Sequence, residues 1–255
     1  MGHRAAVTAT RRLRFDPGAA PRRWADLPGA LIRLHRATAV GEAVVCSAPA
    51  APPGVPPLAE LVAGAGFVVE RARRRGGPAE AVVDARRDRT LPDFVGPGMR
   101  LLVCGLNPSV VSADAGFGYA GATNRFWAVA VAAGAVTRPR DPLASLEEDG
   151  TGMTDLVKRA TPNADTLTAA EYRAGAERVE RLVAWLEPGV VVFVGLAGWR
   201  AAIDRRAVAG PQPERFGGRP AYVMPSTSGR NARTPPARLA DHLRAALALA
   251  ARPSG

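Results

Sequence analysis

The 255-residue sequence contains one lysine, two cysteines and three histidines. Cys46 and Cys104 are too few for a four-thiolate zinc site or an iron–sulfur cluster, and His3, His35 and His242 stand at no ligand spacing to them, so no metal is expected. Long apolar runs are missing too. No stretch approaches the roughly 18 residues that a membrane span needs, and the Arg-bearing N-terminus lacks the apolar run of a signal peptide. A cytoplasmic chain with no membrane partner is the expectation. What is present, 47% apolar and 22% charged residues over this length, buries a substantial core and excludes wholesale disorder and a disulfide-stapled mini-domain.

Acidic residues are outnumbered, giving a net charge of +11. The excess is spread, about +6 over residues 1–98 and about +5 over 99–255. A basic surface favours polyanions such as nucleic acid through counterion release. Yet Lys158 is the only lysine among 34 basic residues, and Ala, Gly, Pro and Arg dominate, which is the bias a GC-rich coding sequence imposes. Charge alone therefore does not assign a partner.

Composition changes at Ser47–Pro57 and again at Leu91–Met99, where two prolines, two glycines and an aspartate cannot continue a helix or a central strand. The boundary is placed near Gly96, dividing the chain into a small α/β segment, 1–95, and a larger unit, 96–255. In the larger unit Leu101–Cys104, Val190–Val194 and Ala221–Met224 read as buried strands. Phe126–Ala133, Ala169–Leu186, Ala197–Asp204 and Pro236–Ala251 read as helices, the second opened by a Thr168/Glu171 capping-box pattern. Apolar strands alternating with helices indicate an α/β fold with a parallel sheet covered on both faces, whose sites lie beyond the carboxyl ends of the strands. That rule singles out the loops starting at Gly105, Gly195 and Pro225. In the small segment, helices at Asp26–His35 and Leu58–Ala63 and strands at Ala43–Cys46, Phe67–Arg71 and Glu80–Asp84 are expected, with no glycine-rich fingerprint after a first strand.

The first loop is Gly105-Leu106-Asn107-Pro108-Ser109. Asn-Pro and Gly are ordinary turn formers, so a plain strand-to-loop turn and a functional loop are both open readings. The loop Met224-Pro225-Ser226-Thr227-Ser228-Gly229-Arg230-Asn231-Ala232 also follows a buried strand and also has a plain turn reading. Between them stand Gly116-Phe117-Gly118-Tyr119, Asn124-Arg125-Phe126-Trp127 and Gly152-Met153-Thr154-Asp155-Leu156-Val157-Lys158-Arg159. Together, from about Met99 to Leu249, these motifs resemble the mismatch-specific uracil/thymine-DNA glycosylases of the uracil-DNA glycosylase superfamily.

That resemblance implies a three-layer α/β/α sandwich with a central mostly parallel sheet. It also implies a monofunctional, cofactor-free glycosylase, acting as a monomer on double-stranded DNA and hydrolysing the N-glycosidic bond of a flipped uracil, with mispairs to guanine preferred. Asn107 matches the asparagine that orients the attacking water, and Tyr119 the aromatic that stacks on the flipped base, with Phe117 as its neighbour and Leu106 beside Asn107 in the base pocket. A core or surface aromatic is the bland alternative for Tyr119. Asp155 and Thr161 match polar positions near the base, although Asp155 equally fits a cap on a following helix. Ser226 and Ser228 match phosphate or nucleotide contacts, and Arg230, between Gly229 and Asn231, matches the wedge that enters the vacated stack. Asn124 and Arg125 order the pocket or touch the DNA backbone, and Trp127 packs in the core. Met224 stands where faster superfamily members carry histidine, and a carboxamide cannot take a proton as a carboxylate does, so slow chemistry is expected. Lys158, placed on a helix, supplies no amine nucleophile.

Leu27–Arg36, Leu58–Leu61 and Ala65–Phe67 resemble the later half of a class I S-adenosylmethionine-dependent methyltransferase whose cofactor loop is missing, so residues 1–90 read as a truncated remnant that packs or contacts DNA. An unrelated small α/β module remains the alternative. Other functions left open are a damage- or abasic-site-binding protein whose catalysis has decayed, a methyltransferase fusion, and a base range extending to thymine, hypoxanthine, xanthine or etheno-adducts.

Overall fold

Strands buried on both faces and strands with one open face demand different sheets, and this chain has one of each. The computed structural model describes residues 10–18, 21–75 and 80–251. The N-terminal sheet holds β1 (Arg11–Arg14), β2 (Ala43–Pro49), β3 (Phe67–Arg75) and β4 (Glu80–Arg87) in the order β1-β2-β4-β3. β1 and β2 are parallel, and the crossover that this requires carries α1 (Leu27–Ala37). The other two pairings are antiparallel, with α2 (Leu58–Gly64) between β2 and β3. Along β2 burial alternates: Val44, Cys46 and Ala48 turn inward toward Leu27, Leu31, Leu58 and Val62 of the two helices.

The second sheet holds β5 (Leu101–Gly105), β6 (Thr151–Asp155), β7 (Val190–Val194), β8 (Gly210–Pro211) and β9 (Ala221–Met224), ordered β6-β5-β7-β9-β8. All are parallel except the short edge strand β8. The helices are α3 (Val110–Ala115), α4 (Phe126–Ala132), α5 (Pro142–Glu147), α6 (Ala169–Leu186), α7 (Leu196–Ala202) and α8 (Pro236–Ala250). Every residue of β5 and β7 is buried, and successive residues serve opposite layers. Leu101, Val103, Val190 and Val192 join Phe126 and Val129 of α4 and Leu239 and Leu243 of α8, whereas Leu102, Cys104, Val191 and Phe193 join Val179 and Leu182 of α6 and Trp199 of α7. This is a three-layer α/β/α arrangement with a smaller N-terminal α/β segment. The expected capping box opens α6, with Thr168 and Glu171 each bonding the other's backbone N–H. Because β6 and β7 flank β5 on opposite sides, the connections diverge at β5, and the crevice beyond its carboxyl end is the place for a ligand.

Two expectations are corrected. Thr151–Asp155 is a strand, so Asp155 ends β6 and caps no helix, and Lys158 lies in an irregular stretch. Gly152 and two threonines hide this edge strand from any aliphatic pattern; the glycine is required because a Cβ there would meet the Phe94 carbonyl at 3.1 Å and the Met99 side chain. The segment before Gly96 is already fastened to the second sheet, since Phe94 and Met153 exchange two backbone hydrogen bonds of 2.8 Å.

Beside that bridge, the Asp93 carboxylate accepts from Lys158 Nζ at 2.8 Å, Arg178 Nη1 at 2.5 Å and Thr154 Oγ1 at 2.7 Å. Burial pushes its pKa up, but the two cations outweigh this and hold it below the ordinary value. The side chains are only 7%, 15% and 12% exposed for Asp93, Lys158 and Arg178, so removing the anion strands two cations. Asp93→Ala is expected to lose about 3–5 kcal/mol of stability in urea unfolding at neutral pH. A loss within the range of an exposed ion pair, below about 1 kcal/mol, would show that water replaces the carboxylate.

Candidate active site

Backbone pairing outlasts the strands here. After β6, Leu156 N–H donates to the Gly105 carbonyl at 3.0 Å, Val157 N–H to Leu106 at 2.9 Å and Thr161 N–H to Pro108 at 3.1 Å. This zipper lays residues 156–161 along the loop after β5 and brings the Arg159 carbonyl and the Thr161 side chain against Asn107. Asn107 Nδ2 donates to Arg159 O at 2.9 Å and to Thr161 Oγ1 at 2.8 Å, with Pro108 O at 3.1 Å. Thr161 Oγ1 donates its own hydrogen to Asn163 O at 2.8 Å, so toward Asn107 it can only accept. The polarity of the amide follows: both N–H groups are committed to the protein, and Oδ1, without a partner among the described residues, is left for the cavity that Asn107 lines.

That cavity, about 520 Å³, opens beyond the carboxyl ends of β5, β6, β7 and β9. Leu106, Tyr119, Asn124, Asp155, Ser226 and Ser228 share its wall with Asn107, and Arg230 stands at it with an exposed side chain. Tyr119 has φ 61°, an uncommon backbone for a bulky residue, and its ring stacks on Phe126 with centroids 4.1 Å apart. Trp127, buried, donates from Nε1 to Gly118 O at 2.9 Å and so holds the turn that presents Tyr119. The Tyr119 hydroxyl is buried without a partner among the described residues. It lies 3.1 Å from where a Cβ on Gly105 would stand, and the Asp155 carboxylate would collide with that same atom, so only glycine ends β5 here.

Asp155 has no hydrogen-bond partner for its carboxylate among the described residues. Burial raises its pKa to about 6; Lys158 and Arg178 pull against this but are held by Asp93, whose own charge pushes the same way as burial. Burial, then the Asp155 charge, also raises the Tyr119 hydroxyl well above its ordinary value.

The loop after β9 is shaped by its own hydrogen bonds. Ser226 Oγ accepts from Ser228 N–H at 3.2 Å, Ser228 Oγ from Arg230 N–H at 3.3 Å, and Asn231 Nδ2 donates to Ser226 O at 2.8 Å. Gly229 presses on Thr123, whose Cβ would be 2.6 Å from a side chain there. Asn124 Oδ1 accepts from Phe126 N–H and Thr227 Oγ1, both at 3.0 Å, tying the start of α4 to this loop. Arg230 Nη2 rests on Asn163 Oδ1 at 2.6 Å, across the cavity mouth. Met224 is wholly buried in the core.

Five expected residues stand away from the cavity wall, Gly229 among them, pressed on Thr123. Thr161 is buried with its hydroxyl engaged by Asn107 and Asn163, so it braces the amide and has no free face for a base. Phe117 packs edge-on against Trp127 at 6.2 Å. Arg125 donates to the carbonyls of Thr234, Asn231 and Ser228 from behind the loop, and Asn231 is turned into the loop itself. Sequence reasoning missed Asn163 and the backbone of Gly195–Ala197, which also line the cavity. The strand-end rule marked the Gly195 loop without naming a residue; Asn163 carries no local signal, because its partner Arg230 is 67 positions away.

A family model described as the uracil DNA glycosylase superfamily matches residues 92–249, more than half of the chain. Among solved structures, one determined by solution NMR from Methanosarcina acetivorans, assigned provisionally as a uracil DNA glycosylase, is 18% identical. Its alignment covers 63% of this chain and 97% of that one, with a TM-score of 0.43.

The Asp155 carboxyl generates a prediction. Its proton leaves near pH 6 in the folded chain against an ordinary 3.8, so ionisation opposes folding: the penalty is absent below about pH 3.8 and complete above about pH 6. Asp155→Asn should leave the melting temperature little changed near pH 4 and raise it by roughly 6–12 °C near pH 7.5, equivalent to about 3 kcal/mol for a carboxyl displaced from 3.8 to about 6 in a chain of this size. Thermal melts across that range check it, and a pH-independent difference would show that the carboxyl titrates normally.

Proposed function

The chain belongs to the uracil DNA glycosylase superfamily, whose members are DNA glycosylases, and from that premise we propose that it is a monofunctional enzyme removing uracil from double-stranded DNA, with mispairs to guanine preferred. One observation carries the reading: the Asn107 carboxamide, at the carboxyl end of β5, has both N–H groups tied to the protein and its oxygen free toward a cavity. An oxygen so placed accepts a hydrogen bond from water and aims that water's lone pair, without removing its proton. Attack at the sugar carbon forms the new C–O bond as the bond to the base breaks through an oxocarbenium-like state; the bonding electrons leave as negative charge on the base, and the water's proton passes through solvent to that anion.

The other wall residues take the remaining tasks in this proposal. Tyr119, backed by Phe126, offers a ring for the flipped base to stack on. Asp155 meets a base edge. Ser226 and Ser228, whose oxygens accept backbone N–H groups, keep their hydroxyl hydrogens for a phosphate or the nucleotide. Arg230, exposed and held by a single side-chain partner, fills the vacated stack; unpairing costs a few kcal/mol and least at a mispair, which favours G·U over a matched pair.

Monofunctional action is supported by the position of Lys158, whose amine is ion-paired with Asp93. Slow turnover is supported by the thioether at Met224, a side chain that has no proton to give a departing base. The N-terminal module is read as a cofactor-free remnant of a class I methyltransferase that packs against the catalytic unit; among the described residues no glycine-rich loop follows β1. The whole is read as a monomer.

The test is base release from a labelled G·U duplex at enzyme excess, followed by alkali. Asn107→Ala should slow release by about 10²–10³-fold while duplex affinity changes by less than about threefold. Equal losses in both would remove the water-positioning role. No cleavage by the unaltered protein, with tight binding to an abasic duplex, would make this a damage-binding protein.

A further inference from the structure

The N-terminal sheet covers only one of its faces. Val44, Cys46 and Ala48 of β2 and Val83 and Ala85 of β4 point to the side occupied by α1 and α2. The alternate residues form the other face. Across it the register sets Arg12 beside Val45, Asp84 and Arg71 in one row, and Arg14 beside Ser47, Val82 and Arg73 in the next; Arg75 stands opposite Glu80. Each of the two full rows thus begins and ends in arginine, with small or aliphatic residues and one carboxylate between. The result is a trough of about 550 Å³ lined by Arg12, Arg14, Arg73 and Arg75, with Val45, Ser47 and Val82 as its floor.

β1 and β3 are the edge strands, and charge on an edge blocks pairing with another chain. That purpose is served by either sign, and by alternation of signs. Here the edge charges that line the trough are positive; Glu70 of β3 lies beyond it, ion-paired with Arg86, and the acidic residues within it, Asp84 and Glu80, sit on the inner strand β4. Asp84 is ion-paired with Arg73, which among the described residues leaves Arg12, Arg14 and Arg75 against Glu80 alone. Two cationic rims three strand spacings apart, about 14 Å, flank a floor of Val45, Ser47 and Val82 together with Asp84, whose charge Arg73 neutralises. This is a surface for the phosphates of an extended polyanion, not for an apolar segment.

We propose that this open sheet face binds the backbone of duplex DNA, outside the site of base removal, and so lengthens the footprint of the enzyme on its substrate. The choice of occupant rests on the glycosylase reading; the charge pattern stands without it. The contacts are to phosphate, so they are indifferent to sequence and weakened by salt.

The experiment uses the full chain carrying Arg12→Ala, Arg14→Ala and Arg75→Ala together, all exposed side chains that touch neither the core nor the cavity beyond β5. Binding to an undamaged duplex of about 25 base pairs is followed by fluorescence anisotropy over a salt series. The expected result is a log–log salt slope shallower by about 2–3 and an affinity lower by about tenfold or more near 0.1 M salt, with an unchanged melting temperature. Base release at saturating enzyme should keep its rate.

Slope and affinity equal to those of the unaltered protein, with the fold intact, would overturn the proposal. So would a variant that loses affinity for single-stranded RNA but not for duplex DNA. If the unaltered protein releases no base from any duplex while the slope still falls, the surface stands and the glycosylase reading fails; normal base release with an unchanged slope is the reverse case.

Discussion

One buried carboxylate, that of Asp93, organises the back of the cavity. It stands outside both sheets, yet it draws in Thr154 from β6, Arg178 from α6 and Lys158 from the stretch between them. Arg178 then donates to the Asp155 carbonyl at 2.7 Å, which fixes where β6 ends and where its last side chain is delivered. An anion with so little water around it persists only while these donors surround it, so the three segments are held in one arrangement. The same carboxylate takes the only lysine out of reach of the cavity and engages the cations that would otherwise keep Asp155 ionised.

From that anchor the site assembles by backbone pairing. The ladder between β5 and β6 continues past both strands and sets a carbonyl and a hydroxyl at the distance an amide needs. The Asn107 oxygen faces the cavity because its nitrogen is wanted elsewhere. Tyr119 is placed in the same indirect way, by a tryptophan that holds the preceding turn and a phenylalanine that supports the ring. Asn107 and Tyr119 face the cavity, and the residues that hold them, Arg159, Thr161, Phe126 and Trp127, do not.

Legibility in the sequence followed burial. Leu101–Gly105, Val190–Val194 and Ala221–Met224 are apolar on both faces, so composition alone reveals them as strands at the centre of a covered sheet. The α6 boundary was readable because a capping box is a local signal. Thr151–Asp155 was not, because an edge strand packed against the Phe94 segment needs a glycine where a pattern search looks for an aliphatic residue. β1, Arg-Arg-Leu-Arg, has a single apolar residue and is held in place by pairing with β2. At the cavity, the strand-end rule and the motifs found the loops that line it, and they named Asn107, Tyr119 and Asp155 among its wall. They did not separate residues that face the cavity from those that brace it, such as Thr161 and Arg125, because that depends on which way a hydroxyl or a guanidinium turns once distant segments meet.

The bracing of Asn107 also constrains how this chain can change over generations. An aspartate at that position would turn an oxygen toward the Arg159 carbonyl, two lone pairs facing each other where a hydrogen bond of 2.9 Å now stands, and the Thr161 hydroxyl would lose the donor it accepts from. A single-codon exchange of amide for acid is therefore opposed by the neighbouring strand extension, and the two segments must diverge jointly. The 156–161 stretch is an epistatic partner of the loop it lies against.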